Sequence, residues 1–213
     1  MTIQFRAHVL ALPLICAALS GCATIKFDPN TTTEAQFDTV FATNNALARS
    51  AAPLFGSASY EGEVQVDTMA GGVKTGSIRG GLVMDVSFAS TEPFTATAGG
   101  FAGDINGKRV TFSGNISSED APGLIPLNTL IRTGFDNTGM WVTMGGTLTN
   151  DDTGVRNRLR AGSRLTGEFR GVNARAITGD TELVINPRRG TSAITGSADE
   201  ATVTGEFYAI ETP

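Results

Sequence analysis

From Tyr60 onward, apolar and polar residues alternate. Tyr60, Gly62, Val64 and Val66 interleave with Glu61, Glu63 and Gln65; Leu82, Met84, Val86 and Phe88 with Val83, Asp85 and Ser87; Val110, Phe112, Gly114 and Ile116 with Thr111, Ser113 and Asn115. A period of two predicts strands with one face buried and one facing water. Similar stretches lie near Phe94 to Gly100, Met140 to Leu148, Leu165 to Gly171, Ile177 to Ile185 and Thr202 to Ile210, with a short run at Leu130 to Phe135. Asn106-Gly107 reads as a hairpin turn. Upstream the period is helical: Phe37, Val40, Phe41, Leu47 and Ala48 predict one short amphipathic helix from Glu34 to Ser50, within a segment 34–52, with Thr31 and Glu34 as a capping box and Pro53 as its stop. Its apolar face is expected to plug or brace the domain, or to dock a partner.

Glycines recur in the inward set of the strands, at Gly62, Gly114, Gly167, Gly179 and Gly205. Closing a small barrel needs such positions, because a missing side chain relieves interior crowding and permits strong local coiling. The expected fold is therefore all-β: a closed antiparallel up-and-down barrel of about eight strands over 55–213, preceded by the helix.

The first residues carry an address. Val9 to Leu19 is almost wholly apolar, but about 11 residues span only about 16 Å as a helix, half a bilayer, so 1–21 reads as a secretory signal and not a membrane span. The junction Leu19-Ser20-Gly21-Cys22 resembles the lipobox of bacterial lipoproteins, which implies cleavage before Cys22, a thioether-linked diacylglycerol on its sulfur and an acylated N-terminus. Several acyl chains hold a protein on a membrane stably where one does not. Ala23, where an inner-membrane retention signal would place Asp, implies the outer membrane, on its periplasmic or its cell-surface face. Residues 22–33 then read as a flexible tether.

Losing the signal changes the available chemistry. The only His and Cys16 leave with it, and the 16 basic residues fall to 15 against 21 acidic ones. A chain this acidic is a poor partner for nucleic acid. With Cys22 blocked, neither a His base, a thiol nucleophile nor a disulfide is expected, nor a His- or Cys-based metal site. The carboxylate pairs Glu61/Glu63 and Asp180/Glu182 sit two apart in strand-like sequence and are expected to point together into solvent. Gly99 to Asp104 matches a single copy of a calcium-binding β-roll motif that works only in tandem, and Asp104-Ile105-Asn106-Gly107 opens like an EF-hand loop but meets Asn115 where the twelfth position needs Glu. The expectation is a protein without catalytic residues, metal or cofactor.

Three closing segments carry a resemblance: Gly167-Glu168-Phe169-Arg170-Gly171-Val172-Asn173-Ala174, then Gly179-Asp180-Thr181-Glu182-Leu183, then Gly205-Glu206-Phe207-Tyr208-Ala209. Together they resemble the last strands of the β-barrel domain of bacterial transferrin-binding protein B and its relatives. Phe101 to Asp104 and Val110 to Ile116 are similar to an earlier hairpin of that barrel. The resemblance implies a surface-lipoprotein barrel with binding loops. Arg170-Gly171-Val172 departs from the Tyr-Gly-Pro common in that family, and one barrel stands where transferrin-binding protein B has two lobes, so transferrin binding does not carry over.

The function these observations imply is a lipid-anchored, non-catalytic binding module for a protein or small solute. The alternatives are a structural lipoprotein bracing an envelope assembly and a small transmembrane barrel. The candidate contact residues are Leu124, Ile125 and Leu127 in a loop unusually apolar for its kind, and Arg156, Arg158 and Arg160, which at a spacing of two share one strand face as a solvated stripe paired with acids or as an anion site.

Overall fold

The computed structural model describes residues 27, 32–51, 54–88, 94–121, 129–133 and 137–213. In chain order it contains α1 (Glu34–Asn45), β1 (Ser57–Ala70), β2 (Val73–Ser87), β3 (Phe94–Ile105), β4 (Lys108–Ser113), β5 (Asn115–Ser117), β6 (Thr129–Thr133), β7 (Asn137–Thr143), β8 (Gly145–Asn150), β9 (Arg156–Leu159), β10 (Arg164–Arg170), β11 (Ala176–Arg188) and β12 (Ala201–Glu211).

Every pairing between strands is antiparallel, and the ladder closes on itself. It runs β12, β1, β2, β3, β4 with β5, β8, β9, β11 and back to β12. β4 and β5 are one strand broken by a bulge at Gly114, whose φ is +96°. This is the expected closed eight-stranded barrel, with β10, β7 and β6 as additional strands along one wall. Closure satisfies the edges that an open sheet would expose. The Asn106-Gly107 turn has φ of +53° and +75°, as a tight primed hairpin turn requires.

The inward set fills the barrel. Tyr60, Val64, Val66, Leu82, Met84, Phe101, Ile116, Leu148, Leu165, Phe169 and Phe207 are all buried in one core. Near one end, which we call the mouth, Phe169 is the hub of an aromatic cluster, with ring centroids 5.3 Å from Phe88, 6.2 Å from Phe94 and 6.3 Å from Tyr60. The inward glycines serve coiling more than crowding. At Gly62 and Gly205 a methyl group would strike the neighbouring strand's carbonyl, of Tyr208 and Gln65 respectively, whereas at Gly167 it would meet the Phe207 ring. Gly114 is the exception among the predicted inward glycines: it is exposed and makes the bulge.

The N-terminal segment departs from expectation in three ways. The helix ends at Asn45 and not at Ser50, because the next residues bond to the end of β10: the Gly171 N–H donates to the Ala48 carbonyl at 2.8 Å and the Ser50 N–H to the Phe169 carbonyl at 2.9 Å. These sheet bonds replace another turn of helix. The capping box is Thr33 with Gln36, not Thr31 with Glu34: the Gln36 N–H donates to the Thr33 hydroxyl and the Thr33 N–H to the Gln36 side-chain carbonyl. The described residues of the predicted tether, Phe27, Thr32 and Thr33, lie against the barrel or cap the helix.

The helix lies on the outside of the barrel. Its buried Phe37 ring sits 5.3 Å from the Tyr208 ring on the outer face of β12. At its far end, Asn45 Oδ1 accepts from Arg170 Nη2 and from the Thr178 hydroxyl. The helix braces the wall and does not plug the interior, which side chains already fill.

Candidate binding surfaces

Phe27 is seated on the outer wall over a pair of cross-strand glycines. Gly81 on β2 lies opposite Gly99 on β3, and a Cβ built on either would stand 2.8 Å and 2.5 Å from the Phe27 ring. The two glycines make a flat notch that the ring fills, sharing the Gly99 side of it with the Asn115 amide. Five residues on, the Thr32 carbonyl accepts from Arg79 Nη2 at 2.9 Å and Nε at 3.3 Å. Arg79 is only 4% exposed, and its Nη1 also donates to Ser77 Oγ at 3.0 Å. Glu63 and Gln65, predicted to face water, are 9% and 6% exposed: Thr32 lies on Glu63, and Arg79 Nη1 donates to Gln65 Oε1. Thr32 Oγ1 donates to Glu63 at 3.1 Å. The described residues from Phe27 to Ser50 therefore form a belt that crosses β3, β2, β1, β12 and β11 and reaches the end of β10.

A groove of about 520 Å3 lies where the belt meets the mouth, lined mainly by apolar side chains: Leu47, Ala51, Leu54 and Val172, with Arg175 beside Gly171. Val172 and Phe55, which follows Leu54, are each 80% exposed. The turn on its far side holds two successive non-glycine residues in the left-handed region, Asn173 at φ +57° and Ala174 at +61°. Such conformations cost about 1–3 kcal/mol each and persist only where the surroundings impose them. Here the buried Tyr60 hydroxyl donates to the Ala174 carbonyl at 2.7 Å. Beside the groove, Glu168 bridges Arg49 at 2.5 Å and Arg170 at 2.8 Å.

The three predicted arginines separate. Arg156 and Arg158 are exposed on β9, whose end at Leu159 leaves Arg160 outside the strand, paired with Glu200 at 3.3 Å. Arg188, unremarkable in the sequence, stands directly across the ladder from Arg156. Its only signal is the dipeptide Arg188-Arg189 ending an alternating run. Leu124, Ile125 and Leu127, and the Leu19-Ser20-Gly21-Cys22 junction, lie outside the described residues.

Of the two carboxylate pairs, Glu61/Glu63 divides and Asp180/Glu182 does not. Glu61, Asp180 and Glu182 keep solvent contact, while Glu63 is under the belt. No cluster of three or more potential metal ligands occurs among the described residues.

The chain matches no protein-family model, no curated protein and no solved structure. The barrel architecture and its surfaces therefore carry the functional reading.

Proposed function

We propose that this is a lipid-anchored binding module of the outer membrane, without chemistry of its own, which engages a partner at the mouth. The observation that carries the reading is the pair Phe55 and Val172, each 80% exposed beside an apolar groove on a barrel whose interior is already packed. Exposed apolar side chains, one lining an apolar groove and one next in sequence to a lining residue, on a rigid, filled scaffold favour contact with another molecule over storage of a ligand inside. A closed barrel is also the architecture implied by the resemblance to the transferrin-binding protein B barrel domain, although fold alone assigns no ligand.

The anchor half of the proposal rests on the lipobox-like Leu19-Ser20-Gly21-Cys22. Cys22 lies five residues before Phe27, and five extended residues reach at most about 17 Å. A lipid on Cys22 would thus hold the β2/β3 wall close to the membrane. The exposed wall positions Glu61, Asp85, Arg156, Arg158 and Asp180 do not suit lipid contact, which disfavours a transmembrane barrel. A structural role through the helix is disfavoured because Phe37 already packs on the protein's own Tyr208.

The test is fractionation of cells expressing the wild type or Cys22→Ala. Release of the variant from membranes supports the anchor, and unchanged outer-membrane fractionation overturns it. Protease digestion of the wild type on intact and lysed cells then assigns the face: cleavage on intact cells places the mouth outside, and protection until lysis places it in the periplasm.

A further inference from the structure

The belt leaves part of the barrel bare, and that part has its own chemistry. The exposed outer faces of β9 and the end of β11 carry Arg156, Arg158 and Arg188, flanked by Thr147, Thr149 and Asn186 on the paired strands. None of the three arginines has an ion pair or side-chain hydrogen bond among the described residues, in a chain whose net charge is −5. Three acids of the adjoining segments are engaged elsewhere. Asp151 accepts from Thr111 and Ser113, Asp152 pairs with Lys108, and Glu200 takes Arg160 and Asn186. Arg156 and Arg188 are direct cross-strand neighbours, an arrangement of like charges that destabilises a sheet.

We infer that this wall binds an anionic polysaccharide through its acidic groups, carboxylate or phosphate. Along β9 the backbone positions of the arginines repeat at roughly 7 Å, and across to β11 at about 5 Å, so the sheet roots three unpaired cations in one triangle that successive charges of one polymer engage together. Guanidinium forks pair with carboxylate and phosphate in two-point geometry. Folded-protein interfaces centre on buried apolar or aromatic anchors, and this wall offers only Arg, Thr and Asn. β9 and β11 lie across the ring from β2 and β3, where Phe27 is seated. With Cys22 anchored as proposed, the wall faces away from the protein's own bilayer, which favours a polymer over lipid headgroups. Only that orientation rests on the anchor reading, and the fractionation of Cys22→Ala tests it separately.

The experiment titrates the full-length protein, in neutral detergent, with labelled polygalacturonate, with uncharged dextran of similar length and with vesicles containing phosphatidylglycerol. Binding to polygalacturonate that weakens with salt is expected, with none to dextran. The triple variant Arg156→Gln, Arg158→Gln, Arg188→Gln should lose about tenfold or more in affinity at low salt, with a shallower salt dependence. Arg160→Gln should bind as the wild type does. Thermal unfolding monitors folding, and the triple variant should melt no lower than the wild type, since it removes a repulsive pair. Equal binding by the triple variant, equal binding to dextran, no binding by the wild type, or binding to vesicles alone would each overturn the inference.

Discussion

The Tyr60 hydroxyl reaches across the barrel end to donate a 2.7 Å hydrogen bond to the carbonyl of Ala174, a residue 114 positions away that is held at φ +61°. The bond is fully buried, and Tyr60 packs beside Phe169. It connects the first strand to the left-handed turn that lines the mouth groove. A core side chain thereby fixes the shape of a surface that the sequence presents only as Val172-Asn173-Ala174-Arg175.

Tyr60→Phe keeps the ring and removes the donor. Leaving the Ala174 carbonyl buried and unpaired should cost about 1–3 kcal/mol, read as a lower denaturation midpoint at unchanged slope. Faster amide exchange should appear at Asn173 to Arg175. Burial also pushes the Tyr60 and Tyr208 hydroxyls well above the usual tyrosine range, with the negative charges of Glu211 and Glu63 respectively adding to the shift. These are the chain's 2 tyrosines. Their raised values favour the fold below pH ~10 and withdraw that contribution above it. In alkaline titration, phenolate absorbance should therefore rise with unfolding and not at the free-tyrosine pKa.

Gly81→Ala tests the Phe27 seat without disturbing the barrel. The added methyl meets only the Phe27 ring within 4 Å, at 2.8 Å. The ring should leave its notch, at a loss of roughly 1–1.5 kcal/mol for a half-buried aromatic. Chymotrypsin should then cut after Phe27 about tenfold faster, while the barrel's melting temperature stays within a few degrees. An unchanged cleavage rate would show that the seat does not hold the segment.

The barrel was legible because its inner face obeys a strict period of two. Tyr60, Val64, Val66, Leu82, Met84 and Val86 occupy the predicted face, and Asn106-Gly107 turns where its backbone preferences say. What local pattern misses is tertiary. Nothing near Ser50 reveals that its N–H will bond to Phe169, 119 residues on, so the helix reads too long. Glu63 and Gln65 look like solvent positions until Thr32 and Arg79 close over them. Of the candidate site, Arg156 and Arg158 were readable from their spacing, but Arg188 joins them only through the register of β11. Phe27 reads as a stray aromatic in a polar tether because its partners, Gly81 and Gly99, have no side chains to announce a contact.

Arg79 is the polar fastening of the belt. Its guanidinium places two nitrogens on the Thr32 carbonyl and a third on Ser77, beneath the segment entering the helix. Arg79→Lys keeps the charge and loses the planar fork, so it should cost about 1.5–3 kcal/mol, the range of hydrogen bonds to charged groups. Thr33→Ala removes the helix cap beside it and should cost about 1 kcal/mol. Residues 32 and 33 act on one segment, so the two losses should combine by less than their sum, as a double-mutant cycle of urea denaturation will show.

Two carboxylates should give pH dependences of opposite sign. Glu206 stands across the ladder from Asp180. Burial holds its carboxyl above the usual range, and the charges of Asp180, Asp38 and Asp67 add to the shift. The folded protein binds this proton more tightly than the unfolded chain, so its contribution is present below the unfolded pKa of about 4.3 and lost as pH rises through the folded value. Glu206→Gln should therefore melt higher than the wild type at neutral pH, with the difference vanishing near pH ~4. Asp151 is the converse. Hydrogen bonds from the Ser113 and Thr111 hydroxyls hold its carboxyl below the usual range. Its contribution is present above about pH 3.9 and lost as pH falls through the folded value. Asp151→Asn should melt lower at neutral pH, and the gap should close only in stronger acid. Thermal melts of the two variants from neutral pH into acid should thus deviate from the wild type in opposite directions, with the Glu206 difference closing first.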